Sequence, residues 1–168
     1  MKNKKIKTEN NFFKLSILFF ITFSCVFVIY YIFNSSYLSS FFVNDYIKNE
    51  GIIKTLKSDI KVEIADTEKE RERGLSFKKN INDGEGMFFI FKEKGNYPFW
   101  MKDMNFPIDI IWIGEDLRVV YIEKNAKPES YPESFIPTAD SKYVLEIVSG
   151  FSEKNNLKAG DKVEFLSI

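Results

Sequence analysis

From Leu15 to Phe33 the chain reads LSILFFITFSCVFVIYYIF, nineteen residues without a charge. Nothing else in the sequence limits the architecture so strongly, because such a run must be surrounded by hydrocarbon or wholly buried in protein. As a helix it spans roughly 28 Å, close to the hydrocarbon thickness of about 30 Å. Its apolar side chains run all the way round the helix, which suits lipid better than a one-sided core. Tyr30 and Tyr31 stand at one end, where aromatic rings favour the interface. Five lysines (Lys2, Lys4, Lys5, Lys7, Lys14) precede the run, and the next basic residue is Lys48. That asymmetry predicts a cytoplasmic N-terminus by the positive-inside rule. The run exceeds the usual apolar region of a cleaved signal, about 7–15 residues, and no small-x-small site closes it. An uncleaved signal anchor is therefore expected, with cleavage near Asn34-Ser35-Ser36 as the alternative. Cys25 reads as a small residue of the span rather than a lipidation site, given the VFVIYYIF that follows it.

The expected organisation is a basic cytoplasmic segment 1–14, a single membrane span 15–33, a spacer 34–58 with a short helix around 41–48, and a domain from 59 to 168. That domain is expected outside the cytoplasm. Overall the chain has 24 basic and 24 acidic residues. Since the first 33 residues hold five lysines and one acid, the remainder is net negative by four. Nucleic acid is therefore not an expected partner. With no His and one Cys, the chain cannot build a Ser-His-Asp triad, a His-ligated zinc site or an intrachain disulfide. No cofactor and no metal are expected.

From Asp59 onward the patterns are those of a β-rich domain. Ile60, Val62 and Ile64 alternate with Lys61 and Glu63, as in a half-buried strand. Asp66 or Thr67 is placed to cap a charged helix that Gly74 ends. Further strands are predicted at 87–91, 97–101, 109–113, 117–123, 143–148 and 162–166. Gly114-Glu115-Asp116 marks a hairpin, 124–140 a proline-containing loop, and Ser152 the cap of a second short helix. Most connections are too short for helical crossovers. The predicted fold is mainly β (α+β): a small antiparallel, partly closed, barrel-like domain with two short helices.

The segment 99–113, FWMKDMNFPIDIIWI, concentrates Trp100, Met101, Met104 and Trp112 around a proline bend. Such side chains fill a core or line a pocket for a ring-shaped ligand. Asp109 and Glu146 lie in apolar strands and need hydrogen bonds, a cation, or a proton to stay neutral. They could be structural, ligand-binding or an acid–base pair. Asp103, beside Asn105, could add an oxygen ligand, but no calcium-loop pattern surrounds it.

Several blocks of this region resemble the DUF192 family (UPF0127): Arg73-Gly74-Leu75, Gly86-Met87-Phe88-Phe89, Phe99-Trp100-Met101-Lys102 and Pro107-Ile108-Asp109. The series continues with Ala126-Lys127-Pro128, Tyr143-Val144-Leu145-Glu146, Gly150, and Leu157-Lys158-Ala159-Gly160-Asp161. Two positions depart from the family's usual pattern, Ser76-Phe77 after the first block and Met104. The resemblance implies a compact β-rich domain, often exported behind a hydrophobic segment, and supplies no biochemical activity. The expected function is binding of a small ligand or envelope component in a pocket built by Trp100, Met101, Asp103, Asp109 and Glu146. Two alternatives stand beside it: a hydrolase using Asp109 and Glu146, and a structural or interaction module of the envelope.

Overall fold

In the computed structural model, residues Ser24, Val26–Tyr30 and 49–168 are described. Ser24 and Val26–Tyr30 are helical and exposed; the rest of the expected span 15–33, and the expected helix around 41–48, lie outside the described residues. Among the described residues no helix is long and apolar enough to cross a membrane. Lys48–Ile168 forms one unit.

The alternation in DIKVEIA builds β2 (Asp59–Ala65), with Ile60 and Val62 buried. Helix α1 (Glu68–Arg73) follows at once. Thr67 accepts from the Glu70 amide while the Glu70 side chain accepts from the Thr67 amide, a capping box at the predicted cap. β3 (Glu85–Gly95) then pairs parallel to β2, in register from Lys61↔Glu85 to Ala65↔Phe89. The βαβ step between them is the one parallel pairing in an otherwise antiparallel sheet, as the expected mainly antiparallel order allows: the link 66–84 is long enough, and helical enough, to bring the chain back in the same direction.

β5 (Ile108–Ile113) and β6 (Val119–Ala126) form the predicted hairpin, and β8 (Ser141–Val148) lies between β5 and β3. β9 (Glu164–Ser167) pairs with β1 (Glu50–Lys54), which in turn pairs with β2. The seven-stranded order is β6-β5-β8-β3-β2-β1-β9. The short strands β4 (Phe99–Trp100) and β7 (Ser134–Phe135) make a separate pair, and Pro128–Ser130 is a 3-10 turn. Helix α2 (Phe151–Lys154) is the last helix.

The sheet is not a closed barrel. Its two edges meet only where residues 117–119 bond to 160–163, with an isolated bridge between Arg118 and Lys162. β1 occupies part of the expected spacer 34–58 and moves the domain start ahead of the expected 59; residues 34–48 lie outside the described residues. Ile53 in β1 is fully buried, so the domain includes at least Glu50.

Both faces of the sheet are covered. One face gathers Ile53, Ile60, Val62, Phe88, Ile111, Ile113, Leu145 and Ile147, with Phe151 of α2. The other gathers Ala65, Leu75, Met87, Phe89, Phe99, Ile110, Trp112 and Val144 beneath the segments 74–81 and 97–106. Each fully buried Phe, Leu or Ile contributes about 1.5–3 kcal/mol. Trp112 is wholly buried, and its Nε1 donates to the Tyr97 carbonyl at 2.8 Å.

Candidate functional site

β8 carries Glu146 into the middle of an apolar face. Its backbone neighbours are Met87 on β3 and Ile110 on β5, so no charged side chain faces it across the sheet. The residue is 4% exposed, and its Oε2 has no hydrogen-bond partner. Burial pushes its carboxyl up to about 8, opposed only by the backbone amide of Leu75. At neutral pH the group is therefore mainly protonated, with an O–H to give.

Above Glu146 lies a cleft of about 560 Å³. Its wall is made where α1 ends. Gly74 takes a positive φ of 51°, closes the helix through its N–H to the Glu70 carbonyl, and turns the chain across the carboxyl. A Cβ built there would meet Glu146 Oε2 at 3.5 Å and Phe89 at the same distance, and the positive φ disfavours any side chain. Leu75, buried, follows directly.

The cleft is also lined by Phe91, Tyr97, Pro98, Phe99, Trp100 and Met104. Phe91 and Tyr97 stack with centroids 3.6 Å apart, and the Arg71 guanidinium lies 5.2 Å from the Phe91 ring. Arg71 is held there by the carbonyls of Asp66 and Ile90. The strand pair β4–β7, with Trp100 opposite Ser134, presents Trp100 at the rim with 46% of its surface open.

The five expected site residues do not assemble into one pocket. Trp100 and Glu146 line the cleft. Met101, 1% exposed, belongs to the core beneath it. Asp103 is exposed, does not line the cleft, and uses its carbonyl to accept from the Phe77 amide at 2.9 Å.

Asp109 is fully buried on the other face of the sheet, because it pairs with Ile147 while Ile110 pairs with Glu146. Its Oδ1 accepts from the amides of Asn125 at 3.0 Å and Gly150 at 3.2 Å, and its Oδ2 from the amide of Ser152 at 2.9 Å. It thus caps α2 from a neighbouring strand, which replaces the expected cap by the Ser152 hydroxyl; that hydroxyl has no partner. Asp109 and Glu146 consequently cannot act as an acid–base pair on one substrate, since a sheet separates them.

Gly74, Phe91 and Tyr97 were not among the expected site residues. The signal for Gly74 lay in the Arg73-Gly74-Leu75 block, which the chain brings together with Phe99-Trp100 and Glu146 around the same cleft. Phe91 and Tyr97 sit in ordinary apolar and turn contexts and carry no such signal. Among the described residues, no group of three or more acidic, His or Cys side chains is placed to hold a metal ion.

The DUF192 family, described as an uncharacterized ACR, matches residues 51–165. A UPF0127 protein of Thermococcus sibiricus is 29% identical over 105 residues, which cover 62% of this chain and 66% of that protein. The match thus spans a little under two thirds of the relative's length. Among solved structures, a proposed transcription regulator from Sinorhizobium meliloti 1021 aligns with a TM-score of 0.65 at 29% identity. That alignment covers 71% of this chain and 95% of the other. A protein of unknown function from Novosphingobium aromaticivorans aligns with a TM-score of 0.62 at 32% identity, over 68% of this chain and 83% of its own.

Proposed function

This chain belongs to the DUF192 family, and from that premise we propose that its β-rich domain binds one small molecule in the Glu146–Trp100 cleft while residues 15–33 hold it to a membrane. The observation that carries the binding reading is the state of Glu146: a buried carboxyl with an unpartnered oxygen beside an open cleft. A buried polar atom without a partner costs about 1–3 kcal/mol, and a bound ligand is the natural means of relieving it. The cleft volume falls within the range of about 300–1,000 Å³ usual for small-molecule sites. The anchoring reading, with the domain outside the cytoplasm, is supported by the uncharged run and by the lysines ahead of it.

The description of the Sinorhizobium chain as a proposed transcription regulator concerns that protein. Nucleic acid is not proposed as a partner here, because the residues after Phe33 are net negative.

A thermal-shift screen of the full-length protein against sugars, amines and aromatic acids tests the binding reading, since a ligand at about 100 times its Kd stabilises by about 2.7 kcal/mol. Compounds that raise Tm are expected to lose that effect in Trp100→Ala and Glu146→Leu. Stabilisation indifferent to both substitutions would overturn the assignment of the cleft, and a structural or interaction role would take its place.

A further inference from the structure

Resting on that reading of the cleft, we propose that its ligand is an uncharged sugar ring that lies against the face of Trp100 and accepts a hydrogen bond from the Glu146 carboxyl. Three features of the cleft select this class.

The first is the supply of aromatic surface. Phe91 is taken up by the Tyr97 stack and by Arg71. Phe99 is 9% exposed and spends its ring edge-to-face on Phe89 and Trp112, at 88° and 86°. Trp100 is left as the open platform. A cage for an organic cation surrounds the charge with several ring faces, whereas a sugar needs one flat face for its C–H groups.

The second is charge. Around the rim Glu68, Glu72 and Glu93 are balanced by Arg71, Arg73 and Lys92, so no net field draws in an ion of either sign.

The third is the floor. Glu146 meets no cation from β3 or β5, whose facing residues are Met87 and Ile110. Nor does α1 offer one, since Gly74 is the residue beside Oε2. Desolvation therefore keeps the carboxyl protonated, and it offers a donor to a neutral acceptor such as a hydroxyl or acetamido oxygen. The other groups that titrate or carry charge along the cleft are Glu68, Arg71, Glu72 and Arg73 on α1, Lys92 and Glu93 on β3, and Tyr97.

The test uses full-length protein in a detergent without a sugar headgroup. N-acetylglucosamine, chitobiose and maltose are the sugar probes; choline and phenol are the counter-probes. Tryptophan fluorescence and thermal shift are the readouts. At least one sugar is expected to bind saturably, with affinity lowered about tenfold or more in Trp100→Ala. Glu146→Leu is expected to weaken binding about tenfold, and Glu146→Gln by no more than about threefold, because the amide N–H replaces the carboxyl O–H. Affinity of the unaltered protein falls roughly tenfold between about pH 6.5 and about pH 9, as the donor ionises, while Glu146→Gln stays flat.

Affinity that rises with pH, or a Gln variant as damaged as the Leu variant, would overturn the proposal in favour of a cation paired with the ionised carboxyl. Trp100-dependent binding of choline or phenol with no response to any sugar would overturn the sugar class and leave the ligand site standing. No Trp100-dependent binding of any probe would overturn both.

Discussion

Asp109 and Glu146 are alike in sequence context, each an acid within an apolar strand, and opposite in what reaches their oxygens. Three backbone amides converge on Asp109. An Asn there turns one acceptor oxygen into a donor that faces a donor. Asp109→Asn is expected to lower stability by about 3 kcal/mol in chemical denaturation, without changing affinity at the cleft. An unchanged unfolding midpoint would contradict the capping role.

Glu146 links stability to pH through its burial. Its carboxyl titrates near 4.5 when unfolded and about 8 when folded, so between those values the folded state holds the extra proton. Stability from this group is complete below about pH 4.5 and is lost as pH rises toward 8, by at most about 1.4 kcal/mol per unit. Glu146→Gln should remove that decline, so the variant gains on the unaltered protein between about pH 5 and about pH 8. Parallel stability profiles for the two would show that the carboxyl is not held neutral. The sequence marks both acids as buried strand carboxylates. It does not reveal that β5 and β8 pair with Asp109 beside Ile147, an offset that sends the two acids to opposite faces. That register is set by long-range pairing, which a local alternation does not contain.

Elements whose side chains alternate were legible, and so was α1, whose capping box and terminal glycine are written in consecutive residues. β1 was not, because EGIIK hides its inward position behind a glycine. Gly51 faces inward under the Phe165 ring, where an added Cβ would meet Cε2 at 2.6 Å. A strand that buries one isoleucine and one glycine shows no apolar period. β4 falls within the expected strand 97–101, but its partner β7 was equally hidden, since Ser134–Phe135 lies in a proline-containing stretch and draws its identity from Phe99 across a long loop. A consequence follows for any excised domain. A fragment starting at Ser58 lacks the strand that joins β2 to β9, and with it the fully buried Ile53. It is expected to be less stable than a fragment starting at Asn49 by several kcal/mol, on the scale of lost buried aliphatic side chains. Equal dispersion in the NMR spectra of the two fragments, with equal unfolding midpoints, would count against β1 as an integral strand.

At the scale of the whole molecule, the alternating and turn patterns anticipated a β-rich domain, and the structure adds what they leave open: a parallel pair at β2–β3 and an open sheet whose edges touch at one corner. Short connections suggested mainly antiparallel order, and the longest link, 66–84, is where the one parallel pair arises. The membrane topology expected from the lysine asymmetry is checked by fusing a phosphatase reporter after Ile168. Activity is expected only if the fusion is exported, and a reporter active in the cytoplasm would reverse the orientation. That position has a further property. β9 runs antiparallel to β1, and the amide of Ile168 donates to the Glu50 carbonyl at 3.1 Å. The domain's chain therefore leaves where it arrives, nearly a closed circuit. A short peptide joining 168 to 49 would need to span little more than one strand spacing, so the circular order of the strands, rather than where the chain is cut, is what the fold requires.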